Sequence, residues 1–335
     1  MTAVELIVAL VAILTAAIFF TNAVEMLGDR LNLGSGAVGS VLAAVGTALP
    51  ETMIPVIAII GALFTGNSAG GEIGVGAILG APFLLATLAM FIVGASALGF
   101  SNRRESGKTI QIDESVTERD LVFFLILFTL AAVAGLVSLP LFLKIALAVV
   151  LLGAYALYVY QTIKSGGEAQ ESPEKLWLWP GRLGTAPTWA VVAQLLLTIT
   201  VMGVGAHYFV TGVEHLSKAI GIPVGLIALV LAPLATELPE KFNSIYWMRS
   251  NDDTLAFGNI TGAMVFQSTI PVSLGVLFTS WSFNFLDFLA VAFALASGVM
   301  VLLLLLRKGP VRADLLLLGG VFYAVFVTVA VVSVL

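Results

Sequence analysis

The 335 residues contain no cysteine and only two histidines. That excludes disulfides, thioether-linked haem and Cys-ligated zinc or iron–sulfur centres, and it leaves no histidine cluster to hold a metal. Charge is also scarce. Charged residues make up 10% of the chain, against about 25% in soluble domains. The net charge of -5 contains no basic run of the kind that binds nucleic acid. Also missing is a phosphate-binding glycine-rich loop with a following Lys-Ser/Thr, which argues against a nucleotide-driven pump. The apolar runs carry no aspartate pair and no Ser–His pair, so an intramembrane enzyme has no machinery and the chain reads as a non-enzyme without a cofactor.

What is present is hydrocarbon. Hydrophobic residues reach 59% and the mean hydropathy is +1.08. A chain this long with so little charge could not cover a water-facing surface, so its solvent is lipid. A spanning helix needs about 20 mainly apolar residues. Ten such runs occur, at about 3–23, 36–65, 73–99, 120–138, 141–163, 187–211, 222–248, 255–280, 284–306 and 312–335. The first begins without a basic leader and reads as a span rather than a cleaved signal. Alternating the ten spans places Arg30, Arg103, Arg104, Lys108, Arg119, Lys164, Lys175, Arg182, Arg249, Arg307, Lys308 and Arg312 on one side and Lys144 and Lys218 on the other. The positive-inside rule makes the rich side cytoplasmic. The expectation is a multi-pass protein of the cell membrane with both termini outside.

A displacement of 189 residues lays Val24–Glu51 over Val213–Glu240 without a gap, with eleven of 28 positions identical, among them Glu25/Glu214, Thr47/Thr236, Pro50/Pro239 and Glu51/Glu240. Biased composition can align leucines; it does not readily align two glutamates, a proline and a threonine in one register. The chain divides into a first five-helix repeat (1–163), a cytoplasmic linker (164–186) and a second repeat (187–335). Five is odd, so the halves are inverted. Inverted repeats with interrupted helices mark secondary transporters whose sites lie near the bilayer midplane. The fold class expected is all-α, ten transmembrane helices in two inverted repeats, with helices 2 and 7 broken near Pro50 and Pro239.

Thr47-Ala48-Leu49-Pro50-Glu51 and Thr236-Glu237-Leu238-Pro239-Glu240 interrupt long apolar runs. Each proline frees a backbone carbonyl one turn earlier. Those carbonyls, the threonine oxygens and the glutamate carboxylates are hard oxygen ligands, of which calcium takes six to eight. A carboxylate at mid-membrane costs about 2.5–3.5 kcal/mol and needs a partner or a task. The plainer alternative is a pair of protonated glutamates bonded to backbone at helix kinks. Small residues follow each motif at four-residue spacing: Gly70 with Gly74 and Gly76 with Gly80, then Gly258 with Gly262. That pattern means close helix packing.

The repeated Thr-x-Leu-Pro-Glu, the upstream Val-Glu-x-Leu and Gly258-Asn259-Ile260-Thr261-Gly262-Ala263 resemble the α-repeats of the calcium/cation antiporter superfamily, in particular the sodium/calcium exchangers. The resemblance covers the first three spans of each half. It implies that Glu51 and Glu240 coordinate calcium and that Thr47 and Thr236 lend oxygens. It further implies that calcium is exchanged for sodium or protons, with no partner besides these ions and membrane lipid. The sequence departs from the family pattern at several points. The motif serine is Ala48 in one copy and Glu237 in the other. The Asn/Asp of the following helix is Gln267 in the second copy, and the same place in the first falls at Leu85. Lys241 follows the second glutamate where an apolar residue is expected, and helical geometry suggests that it faces away from the site. Glu237 and Gln267 join the candidate ligands, and the extra carboxylate makes a proton a contender for counter-ion.

Asn22, Gln194, Thr198, Thr200 and Asn243 read as bonds to neighbouring helices. Trp177, Trp179, Trp189 and Trp281 suit an interfacial belt. A structural protein gives no reason for paired glutamates. A channel made of the same helices, or antiport of another divalent ion, stays open.

Overall fold

The computed structural model describes residues 2–30, 37–164, 175–180, 185–307 and 309–334; within these, the side chains of residues 2, 28–29, 37–47 and 238–240 are outside the description. The helices are α1 (Thr2–Arg30), α2 (Ala37–Thr65), α3 (Ser68–Leu84), α4 (Met90–Gly99), α5 (Glu114–Leu136), α6 (Leu141–Lys164), α7 (Thr188–Ile220), α8 (Val224–Ser250), α9 (Asp253–Gln267), α10 (Ile270–Phe278), α11 (Phe285–Leu306) and α12 (Ala313–Val334). A π-helical turn, Leu85–Ala89, joins α3 to α4. Among the described residues, nine helical segments are long and apolar enough to cross a bilayer, with α3 to α4 and α9 to α10 each counted as one. In α8 the apolar stretch is the shorter Val224–Glu237. The remainder of α8 carries Glu240, Lys241 and Arg249, which lowers its hydropathy without ending the helix.

Burial sorts these segments. The α3–α4 window is 83% buried and α9–α10 72%, whereas α6 is 17% and α12 22%. The first two form the centre and the last two face lipid, which accounts for the exposed Leu141, Phe142, Val149, Val331 and Val332. A chain without water around it must bond its backbone internally, which is why helix prevails. The one strand pair among the described residues is Thr109–Ile110 against Val311–Arg312, antiparallel.

The helices expected to break at Pro50 and Pro239 do not. α2 runs through Pro50 and Pro55, and α8 continues from Val224 to Ser250. Proline removes a single donor, and in hydrocarbon every other backbone group still needs its helical partner. The interruptions fall one span later, at Leu85–Ala89 and at Ser268–Thr269. After allowance for the seven extra residues of the first copy, Leu85 and Gln267 occupy equivalent places. The π turn is held from outside: Ser297 Oγ donates to the Ala86 carbonyl at 2.5 Å, and the Thr87 carbonyl abuts Gly319.

The glycines of the first copy pack as expected. A Cβ at Gly74 would lie 2.6 Å from Ile59 of α2, and one at Gly76 or Gly80 would run into the carbonyls of Gly225 and Leu229 in α8. The Leu229 carbonyl is the one that Pro233 deprives of its helical donor, so Gly80 lets α3 cover it with Cα–H. The second copy differs. Among the described residues nothing lies within 4 Å of a Cβ at Gly258, and Gly262 meets only Tyr158 Oη at 3.5 Å.

Asn22 and Gln194 do bond between elements. Asn22 Nδ2 donates to the Lys175 carbonyl at 3.1 Å, Gln194 Nε2 to the Phe19 carbonyl at 2.8 Å, and the backbone N–H groups of Trp177 and Leu178 donate to Asn22 Oδ1 and Gln194 Oε1. They thereby hold segment 175–180 against α1 and α7. Thr198 and Thr200 bond back to carbonyls of their own helix. Trp177 and Trp189 are exposed, but Trp281 is buried at 2% exposure, donates from Nε1 to the Ala131 carbonyl and covers Gly275. It is a core plug rather than a belt residue, because the backbone at Trp281 turns through φ 46° and folds the ring inward.

Arg104 is the other buried anchor. Its guanidinium grips both oxygens of Asp253 at 2.7 Å and also donates to the carbonyls of Met248 and Thr109, with neither side chain of the pair more than 2% exposed. This clasp fastens the α4–α5 loop to the α8–α9 turn. Arg104→Met leaves the Asp253 carboxylate buried beside fewer donors, which costs about 3–5 kcal/mol. Thermal melting in detergent is expected to show a clearly lower midpoint for R104M, and a smaller combined loss for R104M/D253L than the two single losses added together.

Candidate functional site

The central span α9 delivers Gln267 at its last turn, next to α2 and α8. Gln267 Nε2 donates to Glu51 Oε2 at 2.6 Å and to Glu237 Oε1 at 3.1 Å. One amide thus bridges carboxylates from two helices that lie 186 residues apart in sequence. Glu51 is 8% exposed, and Glu237 and Gln267 are 0% and 2%. Both carboxylates accept from the same nitrogen, which brings Glu51 and Glu237 close together. Two carboxylates this close repel unless a proton or a cation lies between them.

Of the six residues singled out from the sequence, the structure brings Glu51, Glu237 and Gln267 together. Thr236 is buried next to Glu237 and donates its hydroxyl to the Ala232 carbonyl at 3.1 Å, which leaves its oxygen lone pairs free to accept or ligate. The side chains of Thr47 and Glu240 lie outside the described residues. Among the described residues no three His, Cys, Asp or Glu side chains converge. The first-copy position corresponding to Gln267 is Leu85, fully buried among hydrocarbon at the start of the π turn, so its side chain has no oxygen to offer.

Lys241 does not face away. Its side chain is 1% exposed, and Nζ lies 3.7 Å from Glu237 Oε2, one helical turn back. The expectation considered the angle from Glu240, the preceding residue. The relevant partner is Glu237, four residues earlier and therefore on the same face. A buried ammonium without a carboxylate would be prohibitive in lipid, so the lysine and the extra glutamate accompany one another.

Sequence reasoning missed a further intramembrane carboxylate. Asp120, 1% exposed near the start of α5, accepts from Thr261 Oγ1 of α9 at 2.8 Å and pairs with Arg119 at 3.2 Å, and the Arg119 guanidinium lies over the Tyr158 ring at 5.2 Å. Its position in the polar segment before the span made it look like loop. The available signal was that Asp120 directly abuts the run Leu121–Leu136, which carries no charge, and so enters the span with it.

The family model described as sodium/calcium exchanger protein matches residues 1–164 and 190–335. CaxA of Alkalimonas amylolytica is 24% identical over 311 residues, spanning 91% of this chain and 90% of the relative. An uncharacterised membrane protein of Methanocaldococcus jannaschii is 25% identical over 267 residues, covering 78% of this chain and 76% of its own. Among solved structures, the H+/Ca2+ exchanger CAX superposes with a TM-score of 0.71 at 20% identity, over 98% of this chain and 81% of that one. The sodium-calcium exchanger NCX_Mj gives 0.58 at 19% identity, over 98% of each. At these identities the two superpositions speak to the fold.

Proposed function

Since the chain belongs to the sodium/calcium exchanger protein family and is an integral multi-pass membrane protein, we propose that it is a secondary transporter that exchanges calcium for protons by alternating access at the Glu51–Gln267–Glu237 cluster. The observation that carries the reading is the single Gln267 amide bridging two buried carboxylates from α2 and α8. Calcium is the divalent ion whose coordination such hard oxygens suit. Glu51, Glu237, Gln267 and Thr236 supply oxygens from the described part of the site, and Glu240 and Thr47 complete it by the sequence repeat. Protons are favoured over sodium as counter-ion because the departures from the family pattern remove neutral oxygens, at Leu85 and Ala48, and add a titratable one at Glu237. A channel would leave that exchange of oxygen types without a role.

The site sits within a ten-helix arrangement of two inverted halves, 1–163 and 187–335, joined by the 164–186 linker. The meeting of the α4–α5 loop with the α8–α9 turn and the α11–α12 strand supports it, since alternation of ten spans assigns all three to one side. That side carries most of the basic residues and is the cytoplasmic one, with both termini outside a cell membrane.

The test is calcium-45 uptake into proteoliposomes under proton and sodium gradients imposed separately. Uptake is expected to follow the proton gradient and to stay at the leak level under sodium alone. Glu237→Ser, which restores the hydroxyl of the family pattern, is expected to reduce the proton-driven rate at least about tenfold, by analogy with the loss of a supporting ligand group. Uptake driven by sodium with no response to pH would replace the proton by sodium. Uptake under neither gradient would overturn exchange altogether.

A further inference from the structure

Segment 175–180 belongs to the linker between the halves and has no regular secondary structure, yet its backbone is closely held. Asn22 Nδ2 donates to the Lys175 carbonyl, and Asn22 Oδ1 accepts from the Trp177 N–H at 3.0 Å. Gln194 Oε1 accepts from the Leu178 N–H, and the Trp179 N–H turns back to the Leu176 carbonyl, both at 3.1 Å. The two amides are buried and joined to each other, Gln194 Nε2 donating to Asn22 Oδ1 at 3.2 Å. The Leu176 side chain is buried in a cluster with Ala23, Ala186, Ala190 and Val191. A loop in water needs no such partners, because water supplies them. Non-helical backbone at membrane depth is tolerated only where protein groups satisfy it.

The depth of this segment follows from the helices that hold it. In α1 the uncharged stretch Leu6–Val24, between Glu5 and Glu25, measures about 28 Å, close to the hydrocarbon thickness of about 30 Å. Phe19 and Asn22 lie about 9 and 5 Å inside its Glu25 end. α7 agrees: Arg30 donates to Thr188 Oγ1 at the charged end, and Gln194 stands about 9 Å further along the helix. The Trp177 ring meets that of Phe19 edge-on at 5.5 Å, and the Trp179 ring meets that of Trp189 at 5.6 Å. Trp177 and Leu178 stay exposed, as do Ile18, next to Phe19 on α1, and Trp189 on α7.

We infer that segment 175–180 is a strap set into the lipid leaflet at the Arg30 end of α1, with Trp177 and Leu178 as its lipid-contacting surface. The partner is the boundary between acyl chains and headgroups. It receives the indole and the isobutyl group, while the exposed Lys175 keeps its ammonium among the headgroups. The linker is thereby fixed in the membrane across the α1–α7 seam, whichever ion is carried and whichever side is cytoplasmic.

The chain has no cysteine, so a single introduced thiol reports its own position without background. A nitroxide on Leu178→Cys is compared with the same label on Ile18→Cys and on Asn102→Cys, in lipid nanodiscs open to water on both faces. Ile18 is exposed within the apolar part of α1, and Asn102 is exposed in the α4–α5 loop. Oxygen collects in hydrocarbon and a polar nickel chelate stays in water, so the ratio of their relaxation effects measures depth. The L178C ratio is expected to lie severalfold above that of N102C and near that of I18C. A ratio equal to that of N102C puts the segment in water and overturns the strap. Weak relaxation by both reagents shows a protein cover, from a second copy or another chain, and overturns it as well. A label-free measurement guards against a nitroxide that draws the turn inward. Lipid brominated along its chains is expected to quench the part of the tryptophan emission that Trp177→Phe removes. If that emission is indifferent to bromolipid and is quenched instead by iodide in solution, the strap is overturned.

Discussion

Glu51→Gln is expected to abolish calcium uptake while leaving the protein inserted and folded. Glutamine keeps the shape, and its amide oxygen can still accept from Gln267 Nε2, which now stands at 2.6 Å from Glu51. What disappears is one negative charge from a desolvated site that must strip water from a divalent ion. Loss of one partner from a buried charge interaction costs about 2–5 kcal/mol, and a central figure of about 3 kcal/mol means roughly a hundredfold weaker calcium binding. Isothermal titration or calcium-induced thermal stabilisation of the purified variant checks the binding, and calcium-45 flux checks the transport. Native-like values in E51Q would show that the ion binds elsewhere.

The second large effect is expected at a residue with no polar atom in its side chain. Gly80→Ala inserts a methyl group where the Leu229 carbonyl and the ring of Pro233 already stand. Backbone cannot move aside as a flexible side chain can, so α3 must separate from α8. Overpacking of this sort costs about 1–3 kcal/mol. Because α8 also carries Glu237 and Lys241, the displacement reaches the site, and transport should fall with stability. Gly262→Ala provides the contrast. It occupies the equivalent place in the second repeat, yet its nearest neighbour among the described residues is Tyr158 Oη at 3.5 Å, so it should melt like the native protein. Equal destabilisation of the two variants would show that the glycine seams are energetically alike.

That contrast also marks how far the sequence could be read. Helix positions and the paired glutamate motifs followed from hydropathy and the repeat, since those features depend on local composition and on symmetry, whereas Glu237 and Gln267 were reached only through the resemblance to the antiporter α-repeats. Two readings failed because they treated a local rule as decisive. Proline was expected to break α2 and α8, but one lost donor does not outweigh the need of every neighbouring amide for a partner in hydrocarbon. The breaks came instead at Leu85–Ala89 and Ser268–Thr269, where Ser297 and the hydroxyls of Ser268 and Thr269 can satisfy the freed carbonyls. Lys241 was placed by its angle from Glu240, whereas i to i+4 spacing from Glu237 governed it. Asp120 went unread because its partner Thr261 is 141 residues away and nothing local announces the contact.

The lengths of α1 and α7 carry a consequence for the membrane itself. At 29 and 33 residues they measure about 44 and 50 Å, against a hydrocarbon thickness of about 30 Å. Packed against each other along their length, they cannot both stand upright with their apolar surface covered. Hydrophobic mismatch is relieved by tilt, at fractions of a kcal/mol per ångström. A thicker bilayer raises the pair towards the membrane normal and a thinner one lays it down. Any step of the cycle that changes the inclination of α1 and α7 therefore does work against the lipid, and acyl-chain length becomes a mechanical load on the exchanger.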